Sequence, residues 1–270
     1  MTIGIAWVER RSDGREDLYF AADSRTRGVR VLDLSPKLML LPRSDCALCI
    51  AGDTSATYAL MLHMSAAIAA HEPARERNLD VIELKRHLLR VLTDTINSVK
   101  DAAEPFASED AQLILGGYSW RTKEFQLWTM YYEERSKRFR ARDSVKFHRF
   151  LPKAVFVGDK AKAYRSELWN ALERSRGPVQ MQPLKTLAAM LAEAKLEDSI
   201  GGAPQVARIG PHMNSRHMTV LWGKDRDRHL LGRKLFAYEN CDYWGIDPFS
   251  GSTEAPRHFL PARTKREVVK

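Results

Sequence analysis

Over the first fifty residues the apolar positions come in short runs, each closed by turn-forming residues. Residues 2–8 and 18–22 read as two strands around the turn Ser12-Asp13-Gly14, and the second runs straight into Asp23-Ser24-Arg25. Residues 37–41 and 46–51 read as two more strands, with Pro42, Arg43, Ser44 and Asp45 at the corner between them. The pattern then becomes helical. Asp53 or Thr54 is expected to cap a helix to about residue 71, apolar on most faces through Leu60, Met61, Leu62, Met64, Ala67 and Ile68. After a polar loop at 73–78, Val81, Leu84, Leu88, Val91, Leu92, Ile96 and Val99 repeat at amphipathic spacing and predict a helix over 81–103.

The region around Pro105 breaks that helix, and residues 112–117, 124–131 and 137–147 read as strands, the last more polar. A short apolar strand at 154–157 ends in Gly158, and Asp159 is expected to cap a helix to about 176, stopped by Gly177-Pro178. Pro183 opens a fourth helix to about 196, with Leu184, Leu187, Ala188 and Leu191 on one face. Past Gly201-Gly202, residues 205–209, 218–222 and 229–238 read as closing strands. The order is strands, two helices, strands, two helices, strands. An α+β fold of two antiparallel sheets face to face, with a helix pair outside each, accounts for it. Residues 1–240 form one domain on this reading. Residues 241–270 lose periodicity at Gly245, Pro248, Gly251, Pro256 and Pro261, and read as a tail packed on the domain or on a neighbouring subunit.

Composition narrows the class. An apolar content of 44% suits a globular protein, and no apolar run approaches the ~20 residues of a membrane span. The first apolar run is about six residues long and meets Glu9-Arg10-Arg11 at once, unlike a signal peptide. Three cysteines suit a reducing cytoplasm, the expected location. The net charge of +9 concentrates in 135–153, 226–234 and 257–270. Acidic residues are interleaved there (Glu133, Glu134, Asp143, Asp225, Asp227), and no nucleic-acid-binding signature accompanies them, so a solvated face or a subunit contact is the expected reading.

The candidate chemistry begins at Thr2. Met1 precedes a small residue, so its removal is expected to leave Thr2 as the terminus. A terminal threonine pairs a hydroxyl with an α-amine of reference pKa about 7.7–8.0. Such an amine takes the hydroxyl's proton near neutral pH without a histidine. Ala21-Ala22-Asp23-Ser24-Arg25-Thr26, Ser35-Pro36-Lys37-Leu38 and Ile50-Ala51-Gly52-Asp53, followed by a long helix and later by Gly201-Gly202, resemble the proteasome β-type family of N-terminal nucleophile (Ntn) hydrolases, which includes simpler bacterial proteasome-like peptidases.

The resemblance implies a four-layer αββα sandwich and a threonine-type peptidase acting through an acyl-enzyme. It implies Thr2 as nucleophile, Asp23 orienting Lys37, Lys37 supplying positive charge beside Thr2, and the Gly52 N–H as oxyanion donor. Thr26, Met39, Ile50 and Thr54 would line the pocket for the residue before the cut, and the apolar Met39 and Ile50 predict a preference for apolar side chains. The expected partners are a peptide or unfolded protein substrate, other copies of the chain in a ring or stacked rings, and an unfoldase ATPase.

This sequence departs from the family pattern at two points. The family has a serine after a glycine where this chain has Gly158-Asp159, and Asp-x-x-Ser where it has Glu197-Asp198-Ser199-Ile200. Glu197 replaces an aspartate, and Ser199 substitutes for the missing serine if the loop shifts by one residue. A small-molecule amidase and an inactive assembly subunit therefore stand beside the peptidase. Cys46 and Cys49 lie three apart in an expected strand, on opposite faces, and read as core residues. No histidine has ligand spacing, and no P-loop or dinucleotide fingerprint is present, so no metal or cofactor is expected.

Overall fold

The computed structural model describes residues 2–256 apart from 12, 29, 100–105 and 109. Strands β1 (Gly4–Arg10) and β2 (Glu16–Ala22) are antiparallel neighbours, followed by a small hairpin of β3 (Thr26–Arg27) and β4 (Val31–Leu32). β5 (Leu38–Leu40) and β6 (Cys46–Gly52) lead into helices α1 (Thr54–Ala70), α2 (Glu72–Arg75) and α3 (Val81–Asn97). Then come β7 (Ala111–Ser119), β8 (Glu124–Glu133), β9 (Arg138–Asp143), β10 (Lys146–His148) and β11 (Leu151–Val157). Helices α4 (Ala161–Arg174) and α5 (Gln182–Glu193) precede β12 (Gln205–Ile209), β13 (Ser215–Trp222), β14 (Asp227–Leu230), β15 (Arg233–Lys234), β16 (Gly245–Ile246) and β17 (Thr253–Glu254). The fold is mixed α+β. A ten-stranded sheet runs β10-β11-β1-β2-β12-β13-β14-β15 with β16 beside β13 and β17 beside β16, and a five-stranded sheet runs β5-β6-β7-β8-β9. Pairing is antiparallel except between β13 and β16.

Three apolar clusters hold these elements together. Ala6, Val8, Leu18 and Phe20 of the larger sheet meet Ala47, Cys49, Ile114 and Leu127 of the smaller one. Leu60, Met64 and Ile68 of α1 and Leu84, Leu88 and Leu92 of α3 pack with Leu48, Leu113, Leu115 and Met130. Ile3, Ile5, Trp7, Ala21 and Val206 pack with Leu168 and Leu172 of α4 and Leu184, Leu187 and Leu191 of α5. Period-two alternation thus sends Ile5 and Trp7 one way and Ala6 and Val8 the other, with apolar contacts on both faces. Cys46 and Cys49 are both fully buried, in the helix-side and inter-sheet clusters respectively.

Side-chain caps fix the starts of α1 and α3. Asp53 caps α1 by accepting from Ser55 N at 3.1 Å. Asp80 caps α3 with a capping box, in which Glu83 accepts from Asp80 N at 2.9 Å. α3 ends at Asn97, short of the expected 103, and residues 100–103 lie outside the described residues. The single turn α2 overlaps the loop expected at 73–78. The polar stretch 137–147 is not one strand. Ser144 N donates to Leu127 O at 3.0 Å, and there the chain leaves β9 of the smaller sheet for β10 of the larger. Past residue 240, Gly245 and Ile246 pair with β13, and Ile246 is fully buried, so this part of the expected tail packs on the domain; residues 257–270 lie outside the described residues.

The basic run at 226–234 is largely paired within the sheet, Arg226 with Asp247, Lys234 with Asp227 and Arg233 with Glu239. No helix among the described residues is long and apolar enough to cross a membrane.

Beside this run, His217 on β13 packs edge-on against Tyr243, and its Nδ1 makes no hydrogen bond among the described residues. Burial lowers its pKa from 6.5 to about 4, because the charged ring has lost water. The unfolded chain therefore binds the extra proton between those values, and stability is fully present above about 6.5 and falls as pH drops toward about 4. At ~1.4 kcal/mol per pH unit the loss approaches ~3 kcal/mol. Denaturant melts from pH 7 to pH 4 should show a decline that His217→Phe flattens.

Candidate active site

Strand register brings the candidate residues to one place. Gly4 stands opposite Ala22 of β2 and Val157 of β11, and Ala22 stands opposite Gln205 of β12. Thr2, Asp23, Gly158 and Gln205 therefore gather where these four strands begin or end.

Asp23 is fully buried at the centre. Its Oδ1 accepts from Lys37 Nζ at 2.8 Å and from Ile3 N at 3.0 Å. Its Oδ2 accepts from Arg25 N at 3.0 Å and Gly201 N at 3.3 Å. Burial pushes this carboxyl above its ordinary value, against Lys37 and the backbone donors that pull it down. Lys37, also buried, donates a second bond to Arg25 O at 2.6 Å. Burial thus locks an ammonium and a carboxylate together, with donors and acceptors around both.

Gln205 adds a brace that the sequence pattern, which makes it a strand opener, does not mark. It is fully buried; its Oε1 accepts from Lys37 N at 2.9 Å, and its Nε2 donates to Ser35 O at 2.6 Å and Ser24 Oγ at 3.1 Å. Arg25 is a second brace. Its guanidinium pairs with Asp33 and reaches the carbonyls of Lys195 and Asp198, fixing the loop that carries Ser199. Gly201 leaves room for it, since a Cβ there would lie 2.4 Å from the guanidinium carbon.

Asp159 does not cap the following helix. α4 starts at Ala161 with Lys160 as an unbonded cap, while Asp159 turns back toward β1. Its Oδ1 accepts from Thr2 N at 2.6 Å, and its Oδ2 accepts from Ser199 Oγ at 2.7 Å. Gly158 permits this approach: its φ is +102°, and a Cβ there would lie 1.9 Å from Thr2 O. Among the expected residues, the structure therefore unites Asp23 with Lys37 directly, and Thr2 with Ser199 through Asp159. Glu197 is left outside: it is exposed, and its described bond is its carbonyl accepting from Arg27.

Thr2 and Lys37 line a cavity of about 10 Å³ with Thr26, Ile50, Gly52 and Thr54. Tyr58, absent from the sequence-based set, narrows it with its hydroxyl bonded to Pro36 O at 2.9 Å. Met39 packs instead among the apolar residues between the smaller sheet and its helices. A groove of about 500 Å³ lined by Arg27, Gly52, Asp53, Gln112 and Asp159 adjoins the cavity at Gly52 and Thr54. Gly52 has φ +124° at the end of β6. No group of three or more His, Cys, Asp or Glu placed to hold a metal ion occurs among the described residues. No protein-family model and no curated protein matches this chain. The arrangement offers the Thr2 hydroxyl, a buried cation lining the same cavity, and a carboxylate bonded to the Thr2 backbone nitrogen.

Proposed function

We propose that the chain is an N-terminal threonine hydrolase of the proteasome-like kind, with the four-layer αββα sandwich of that family, cleaving peptide bonds through an ester on Thr2. The observation that carries this reading is the buried Lys37, which lines the same small cavity as Thr2 and is paired with Asp23 at 2.8 Å. The three apolar clusters, helix on sheet, sheet on sheet and sheet on helix, support the sandwich.

With the chain cut so that Thr2 is terminal, the hydroxyl gives its proton to the α-amine while Oγ1 bonds the substrate carbonyl carbon. The carbonyl electrons move to its oxygen, which the Gly52 N–H receives. Collapse breaks the C–N bond; the leaving nitrogen takes the proton from the ammonium, and the acyl ester remains. Water, deprotonated by the amine, then attacks the ester, and Thr2 Oγ1 leaves with that proton. The Lys37 ammonium stabilises the negative charge that develops on Thr2 Oγ1.

The cavity has room for about one water-sized sphere, so a small uncharged residue before the cut is expected. The same observation favours a second reading, hydrolysis of a small-molecule amide. One experiment tests both. Protein whose intact mass shows Thr2 as the first residue is compared, on fluorogenic peptides and small amides, with protein in which a residue still precedes Thr2. Hydrolysis by the first alone, fastest with alanine before the cut, is the expected result. Equal rates for the two forms would remove the amine from the chemistry.

Residues Leu62, Ala66 and Ala69 leave an exposed apolar side on α1, with Leu62 61% exposed. On the proposed reading this side is covered in a homo-oligomeric ring. Light scattering at micromolar concentration should give a multiple of 30.8 kDa, and a monomer would reject the ring.

A further inference from the structure

The carboxylate of Asp159 has no part in the reaction as written above, yet it is the charged group bonded to the nitrogen that must act as base. One of its oxygens takes Thr2 N at 2.6 Å and the other takes Ser199 Oγ at 2.7 Å. Ser199 is buried, and its loop is held by the Arg25 guanidinium, so the hydroxyl that fixes the carboxylate plane is itself fixed. Bonds to both oxygens leave the carboxylate one orientation, aimed along the Thr2 nitrogen.

We infer that Asp159, oriented by Ser199, is a positioning residue that ion-pairs with the α-amine of Thr2 and sets the pH above which that amine is neutral and able to accept the hydroxyl proton. The inference rests on the reading of Thr2 as a terminal nucleophile. The carboxylate at this nitrogen comes from Asp159, and not from the Glu197 that stands where the family has an aspartate.

Charge around the amine decides the direction. Lys37 lines the same cavity and, as a like charge, favours the neutral amine. Its ammonium, however, is bonded to Asp23 Oδ1, and the two charges cancel at a distance. Asp53 and Arg27 line the adjoining groove; the Asp53 carboxylate is engaged by Ser55 N and Oγ, and the Arg27 guanidinium by Glu197 O. The carboxylate of Asp159 is bonded directly to Thr2 N and to a neutral hydroxyl, so its effect on the amine exceeds theirs. An opposite charge at this range favours the charged form by 1–3 pH units. Asp159 is exposed to water, which places the effect at the low end, about one unit above the reference of about 7.7–8.0. The amine then deprotonates late but is a stronger base when it does. Asp159 also stabilises the ammonium formed as the hydroxyl loses its proton.

The test is an NMR titration of Thr2, in protein labelled with ¹³C-threonine and shown by mass to begin at Thr2, alongside the pH profile of peptide hydrolysis. Wild type should titrate near pH 9. Asp159→Asn, checked by thermal melt to be folded, should titrate about one unit lower, and the rising limb of kcat/KM should move with it. Ser199→Ala should move both by less, since it frees the carboxylate without removing it. An Asp159→Asn titration unchanged from wild type would overturn the inference even if Thr2 proves to be the nucleophile. Conversely, the shift in titration with no hydrolysis at any pH would leave the ion pair standing and sink the proposed function.

Discussion

Thr2→Ala should abolish hydrolysis while leaving the fold intact. The side chain is 2% exposed, and alanine removes only the hydroxyl and one methyl from a site where the backbone makes the described bonds. Loss of an attacking hydroxyl is worth on the order of 10⁴–10⁶-fold in kcat where nucleophile and base act as a unit. Thr2→Ser keeps the hydroxyl and loses the γ-methyl that restricts χ1, so its rate should fall between the two. Single-turnover assays beside thermal melts check this. A Thr2→Ala protein with a wild-type melt and a measurable fraction of the wild-type rate would mean that another group attacks.

Lys37→Ala should damage both activity and stability. The lysine is buried against a fully buried Asp23, and removing it leaves that carboxylate without its counter-charge. Breaking such a pair costs about 3–5 kcal/mol, a large part of the ~5–15 kcal/mol that holds a domain folded. Rates must therefore be compared at a temperature where melting shows both proteins folded. There, loss of the positive charge beside Thr2 should lower kcat/KM by roughly 10²–10⁴-fold, the usual span for assisted proton transfer. Lys37→Arg keeps the charge, but the planar guanidinium does not fit between Asp23 Oδ1 and Arg25 O as a compact ammonium does, so it should rescue little. If Lys37→Ala is destabilised yet turns over at the wild-type rate, the lysine is a structural ion-pair partner only.

The parts of this molecule legible in its sequence are those fixed by local pattern. Residues 2–8 and 18–22 read as strands because an apolar contact waits on both of their faces. Asp53 and the spacing of Val81, Leu84, Leu88 and Leu92 announce helices that start where expected. What is illegible depends on partners distant in the chain. Asp159, after a strand-ending glycine and before a helix, has the local signature of a cap. Its actual partners lie 157 and 40 residues away, at Thr2 and Ser199.

Gln205 looks like any polar residue opening a strand, and only the arrival of Lys37, 168 residues before it in sequence, gives it a task. Arg43 and Asp45 look like a surface turn. In the fold they form a pair with fully buried side chains, because Arg43 is capped by the carbonyls of Ala74 and Leu79. In 137–147 the apolar alternation of Phe139 and Ala141 marks β9, but Asp143 and Ser144, where the chain changes sheets, carry no such signal.

The central claim, that Thr2 is the nucleophile, is tested most directly by intact mass. Protein is incubated with a threonine-directed electrophile and weighed, wild type beside Thr2→Ala. The wild-type chain should begin at Thr2 and carry one adduct, mapped to that residue, with none on the variant. A wild-type chain that begins at Thr2 and stays unmodified, or an adduct of equal yield on the variant, would contradict it.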